Sequence, residues 1–123
     1  MFYRWIVIEN SLKDKSILNK YKVLSETKFA AGTPRESRML KIQVPEKEID
    51  RLTNRLIDWI IYPYYTHFYH EDPKNNTLIV VFSGKKIVTK KNNYQDAISY
   101  GVIHGVSRKE MDIYPRDMSQ EEW

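Results

Sequence analysis

Residues 45–61, Pro-Glu-Lys-Glu-Ile-Asp-Arg-Leu-Thr-Asn-Arg-Leu-Ile-Asp-Trp-Ile-Ile, constrain the fold of this chain more than any other stretch. Ile49, Leu52, Leu56, Trp59 and Ile60 recur at helical spacing, while Arg51, Asn54, Arg55 and Asp58 fall on the opposite arc. That is the pattern of one amphipathic helix with a broad apolar stripe. Pro45 suits the first helical position, where a missing N–H costs nothing, and Glu46 and Glu48 meet the positive end of the helix dipole. A stripe this apolar has to lie on a sheet. The flanking residues supply one: Leu40, Ile42 and Val44 alternate before the helix, and Tyr62-Pro63 stops it.

The rest of the chain reads as a succession of short elements. Residues 2–8 hold Trp5, Ile6, Val7 and Ile8 and read as a buried strand. Residues 10–20 read as a polar connection or irregular helix that turns Leu12, Ile17 and Leu18 inward. Residues 21–26 give a weaker strand, and Gly32 and Pro34 mark a loop after it. After the helix come a strand over 64–70, a turn at 72–76, and the most β-like run, Thr77–Phe82. Residues 85–90 read as a further short strand, joined through Ser83-Gly84. A second helix is expected over 94–104, with Asn93 and Asp96 at its start and Gly105 just past its end. A last strand at 111–114 precedes a polar tail.

Leaving the N-terminal third aside, the order is β(38–44)–α(45–61)–β(64–70)–β(77–82)–α(94–104)–β(111–114). This predicts an α+β fold: a two-layer sandwich with a ferredoxin-like βαββαβ core, both helices on one sheet face, and an extra N-terminal strand segment that extends the sheet or pairs at an edge. The expected organisation is a single domain over 1–123: an N-terminal extension over 1–37, the core over 38–115 and the tail over 116–123. That fold shape hosts many unrelated activities, so it implies no function of its own.

Composition narrows the classes. With no cysteine among the 123 residues, thiolate catalysis, disulfide scaffolding and cysteine-ligated metal centres are excluded. No run approaches the length of a membrane-spanning helix and no signal peptide is evident, so a cytoplasmic protein without membrane association is expected. The net charge of +4 is uneven: residues 1–61 hold 12 basic and 8 acidic side chains, and residues 62–123 hold 8 of each.

Three histidines invite a metal or catalytic reading. His67 and His70 stand beside Glu71 and Asp72, but residues three apart on a strand point to opposite faces, so joint ligation would need a bulge. His104 falls at a helix C-terminus, where a cationic cap is the simple reading. No nucleophile is placed for it. We therefore expect no cofactor, no firm metal site and no identified small-molecule ligand, and a binding module ahead of an enzyme; a minor enzymatic or metal-binding role centred on His67, His70 or His104 is the second alternative, with the three histidines as weak metal candidates. Lys85, Lys86, Lys90 and Lys91 form a run free of acids, and Tyr65 and Tyr69 could add stacking rings. These six residues are the candidates for nucleic-acid or anion binding; lysines that merely protect an edge strand are the ordinary alternative. Tyr65, Tyr69, Ile79 and Val81, if they point away from the helices, would form an apolar patch suited to a homodimer interface. The leading expectation is a small non-catalytic binding or assembly module that self-associates through that open face.

Overall fold

A computed structural model describes residues 1–111. The expected strand at 111–114, apart from Met111, and the tail at 116–123 lie outside the described residues.

Among the described residues, six strands form one antiparallel sheet: β1 (Phe2–Ile8), β2 (Lys22–Phe29), β3 (Ser37–Pro45), β4 (Tyr65–His70), β5 (Thr77–Phe82) and β6 (Lys85–Lys90), in the spatial order β2-β3-β1-β4-β5-β6. Two helices complete it, α1 (Ile49–Trp59) and α2 (Gln95–Ile103). The architecture is α+β, an extended form of the ferredoxin-like arrangement. The N-terminal strand is its centre rather than an edge addition. β1 pairs with β3 on one side and β4 on the other, so β3–α1–β4 is a split β-α-β unit with β1 inserted between its parallel strands. Tyr3, Trp5 and Val7 on one face and Arg4 on the other are all buried, as a central strand demands.

The helix that dominates the sequence is shorter than its apolar pattern. Pro45 ends β3, a 3₁₀ turn over Glu46–Glu48 follows, and α1 begins at Ile49. Pro45 thus closes the strand instead of opening the helix. At the other end Ile60 leaves the helix in extended conformation and bridges Leu12, while Ile61 N–H donates to Ser11 O at 2.8 Å. Ile49, Leu52 and Leu56 bury the expected stripe against the sheet.

The expected two-layer stacking is corrected on one point: the helices take opposite faces. Ile49, Leu52, Leu56 and Ile60 pack with Tyr3, Trp5, Val7, Leu40, Ile42, Val44, Phe68, Ile79 and Val81. Ala97, Ile98, Tyr100 and Val102 pack instead with Tyr69, Leu78, Val80 and Phe82. The cause is β5. Its residues 78–82 are apolar without interruption, so both faces need cover, and one helix cannot supply it. The first 37 residues do not cover that second face either. They enter the sheet as β1 and β2 and place Leu12, Ile17 and Leu18 on the α1 side.

α2 starts at Gln95 after Tyr94, with Asn93 making no side-chain cap; the Asp96 carboxylate accepts from Ala97 N–H and from the Thr89 hydroxyl, tying the helix start to β6. Gly105 lies past its end at φ +97°, as expected of a C′ glycine. Gly101 and Gly105 do allow close approach, but not to the sheet: a side chain at Gly101 would strike Met111, and one at Gly105 would strike the Tyr62 ring.

Candidate functional site: the polar half of the second sheet face

Strand register decides which candidate residues meet. Across the face that α2 covers run two rows of cross-strand neighbours. One is Ser25–Lys41–Ile6–His67–Val80–Ile87 and the other is Lys22–Gln43–Arg4–Tyr69–Leu78–Thr89. Toward β5 and β6 the rows turn apolar at Val80, Leu78 and Ile87, which pack with α2. Toward β2, β3 and β1 they become polar. Lys41 is 2% exposed and Arg4 is 7% exposed, and the sequence gives no warning of either, because a charged residue in a strand reads as a solvent-facing position.

The polar half has a defined internal order. Glu71 Oε1 accepts from Arg4 Nε at 3.3 Å and from Gln43 Nε2 at 3.0 Å, which fixes the guanidinium against the sheet. His67 lies half-buried next to Ile6 and Val80, with its ring 6.5 Å from that of Tyr69. Desolvation of the imidazolium lowers its pKa to about 4, so the ring is neutral at physiological pH. Two buried hydroxyls on this face, Ser25 Oγ and Tyr69 Oη, have no hydrogen-bond partner. Buried polar atoms are nearly always satisfied, so two orphans on one face mark a place where a bonding partner is called for.

The lysine run does not form one patch. β6 sends its residues alternately to the two faces. Lys86 Nζ reaches α1 on the first face, 2.8 Å from Asn54 Oδ1 and 3.2 Å from Thr53 Oγ1. Lys91 Nζ donates to His70 O at 2.7 Å and to Asp72 O at 3.3 Å, and lies 5.9 Å from the centre of the Tyr69 ring. Lys85 and Lys90 are exposed and stand on opposite faces. The rings are also occupied. Tyr69 is 1% exposed, and Tyr65 donates its hydroxyl to Glu110 O while its ring packs 5.9 Å from Phe82. Neither presents an open stacking surface.

The apolar patch expected of Tyr65, Tyr69, Ile79 and Val81 is corrected by the same register. Tyr69 pairs with Leu78 and Phe68 with Ile79, so Ile79 and Val81 join the α1 core and the two tyrosines lie on the opposite face. The open face foreseen as a dimer interface is occupied by α2 on its apolar side.

The three histidines are kept apart. His67 faces the α2 side. His70, 2% exposed, faces the α1 side, where Nδ1 accepts from Asp72 N–H at 3.0 Å; its ring proton is therefore on Nε2, which donates to Glu46 Oε1 at 3.2 Å. Tyr3 packs edge-on against it at 4.9 Å. His104 is exposed and stacks on Tyr100 at 4.0 Å. Among the described residues no three His, Asp or Glu side chains gather as a bound metal would require. Nor is any described helix long and apolar enough to cross a membrane.

No protein-family model matches this chain, and neither the curated proteins nor the solved structures hold a match to it.

Proposed function

We propose that the chain is a non-catalytic binding module that receives anionic groups on the polar half of the second sheet face. The observation that carries this reading is the pairing of two orphan buried hydroxyls, Ser25 Oγ and Tyr69 Oη, with two buried cations, Arg4 and Lys41, on one face. Ser25 is the cross-strand partner of Lys41 and Tyr69 that of Arg4, so each hydroxyl-bearing residue has a cationic residue as its neighbour in the register. A carboxylate or phosphate oxygen accepts from both partners at once, and charge-assisted bonds are the strong ones. Glu71 accepts from Arg4 there, while Lys22 adds a further cation at the β2 edge. Ser25 and Tyr69 lie on strands three spacings apart, roughly 14 Å across the sheet, which calls for an extended ligand with more than one anionic group. Because these groups are buried, the ligand has to insert against the sheet.

The nucleic-acid form of this reading has less support. Base recognition by a sheet uses open aromatic platforms, and Tyr69 is buried beneath its neighbours. Pairing of two copies draws no support from the sheet face, since α2 occupies its apolar side.

The test is a residue-resolved NMR titration of the full chain with linear polyphosphate, and with hexaglutamate as its carboxylate counterpart. Shifts should appear at Ser25, Lys41, Arg4 and Tyr69, weaken with added salt and fall at least tenfold in apparent affinity in Tyr69→Phe. Shifts confined to residues 85–90, or none, would remove the reading.

A further inference from the structure

The second surface is an edge, independent of the sheet-face reading. β6 pairs with β5 from Thr77↔Lys90 to Phe82↔Lys85 without a bulge. Phe82 and Lys85 flank the two-residue turn Ser83-Gly84, so they exchange backbone hydrogen bonds, and alternate residues of β6 bond inward from there. The ladder continues in that phase, since Lys91 N–H donates to Asn76 O at 2.9 Å. The N–H and C=O groups of Lys86 and Val88 therefore point away from the sheet. Beyond them the Lys90 carbonyl accepts from Asn93 N–H at 3.2 Å, which closes the open run.

The other edge, β2, is treated differently. It carries a bulge between Val23 and Ser25, and its charges alternate in sign at Lys22, Glu26 and Lys28. Arg38 from β3 bonds Glu26 at 3.1 Å and also pairs with Glu9. β6 has neither device. Its charges are all positive, Lys85 and Lys90 extend into solvent, and Val88 leaves 62% of its surface exposed. An unbulged edge strand with outward backbone groups, one exposed apolar side chain and only cations among its own charges, beside the single Asp96 carboxylate that Thr89 holds, is the template for strand addition by a segment of opposite charge.

We infer that the β6 edge, through the outward backbone of Lys86 and Val88 and the cations of Lys85 and Lys90, takes an acidic extended segment of another protein as a seventh strand. A second copy of this chain fits less well. Antiparallel pairing of two β6 edges with Val88 opposite Val88, the register of greatest overlap, would set Lys86 against Lys90 and Lys85 against Lys91 at both ends, and like charges opposite each other destabilise a strand pair.

The experiment adds a capped eight-residue peptide of alternating Glu and Val to the isotope-labelled full chain, with the Lys-Val peptide as control. The acidic peptide should shift the amides of residues 85–90 and slow hydrogen exchange at Lys86 and Val88 at least tenfold, while the Lys-Val peptide does neither. Val88→Pro removes an outward N–H and no sheet bond, so the remaining spectrum should be kept and the binding lost. The double variant Lys85→Glu with Lys90→Glu changes only exposed side chains, and it should reverse the preference in favour of the Lys-Val peptide. Equal response to both peptides, protection elsewhere than at Lys86 and Val88, or concentration-dependent broadening of 85–90 without peptide would each overturn the assignment. The last of these would point to pairing of two copies.

Discussion

The two faces of the sheet are made by the same strands and obey different rules. On the α1 face every inward position of β1 and β3 is apolar: Tyr3, Trp5 and Val7 lie beside Leu40, Ile42 and Val44. On the other face the same two strands present Arg4, Ile6, Lys41 and Gln43. Only β5, and β4 beside it, are filled on both sides. One face is therefore committed to stability across β3, β1, β4 and β5, and the other only beneath α2. The remaining half has polar groups buried at some cost and is where binding is proposed. Substitutions on the two faces should accordingly differ in kind.

The largest effect is expected at Trp5. Its ring is fully buried, stacks on Phe68 at a centroid distance of 5.3 Å, and donates Nε1–H to Thr66 Oγ1 at 2.8 Å. Trp5→Ala should destabilise the fold by about 3–5 kcal/mol, read from urea denaturation, and abolish native spectra if the wild-type margin is smaller than that. Arg4 is its chain neighbour on the opposite face, and Arg4→Met should cost no more than about 1–3 kcal/mol, because Gln43 still bonds Glu71. Equal losses at the two positions would erase the distinction between the faces.

The next effect is a pH dependence that belongs to the second face. Burial holds the pKa of His67 at about 4 in the fold, below the ordinary 6.5 it regains on unfolding. Between these values the unfolded chain binds a proton that the folded chain refuses, so stability rises with pH across this window. The contribution is complete above about pH 6.5 and is lost as pH falls toward 4. Residual exposure of the ring trims it to roughly 2 kcal/mol. Denaturation at pH 7.5 and pH 4.5 should show this slope, and His67→Gln should remove that part of it. An unchanged slope in the variant would show that His67 is not the group responsible.

How much of this was legible in the chain follows from which forces act locally. The α1 stripe, the alternation of 40, 42 and 44 and the apolar run of β5 are written in consecutive residues, so element types and order can be read directly. The placement of β1 cannot. A strand of Trp-Ile-Val-Ile is equally apolar at an edge or in the centre until its partners are known, and only pairing with both β3 and β4 decides. The side taken by α2 was hidden for a related reason. Ala97, Gly101 and Tyr100 define an arc but not a direction, and the demand for cover on the second face comes from β5, distant in sequence. Within the site, His67 and Tyr69 were visible as unusual residues. Arg4, Lys41 and Ser25 were not, because a single polar residue in a strand reads as a solvent-facing position until the register puts it next to its neighbours. The lysine run misled in the opposite sense. Two lysine pairs within seven residues suggest one patch, yet period-two geometry divides them between faces and ties Lys86 and Lys91 to protein partners.

Tyr69 gives the finest test of the comparison, because its effect on stability should have the opposite sign to that of a core residue. Its ring belongs to the α2 cluster, packed with Leu78 and Val80, and its hydroxyl is buried without a partner. Tyr69→Phe keeps the ring and removes an oxygen that was stripped of water on folding without gaining a bond. Leaving a buried polar group unsatisfied costs about 1–3 kcal/mol, and part of that should be recovered, so the variant should be more stable by roughly 1 kcal/mol. The same change should weaken polyphosphate binding at least tenfold, since the hydroxyl is one of the donors the ligand is proposed to meet. A residue retained for packing alone would show neither gain nor loss. A residue retained for binding shows both, and a Tyr69→Phe protein that is less stable and binds unchanged would place this position with the first face's core.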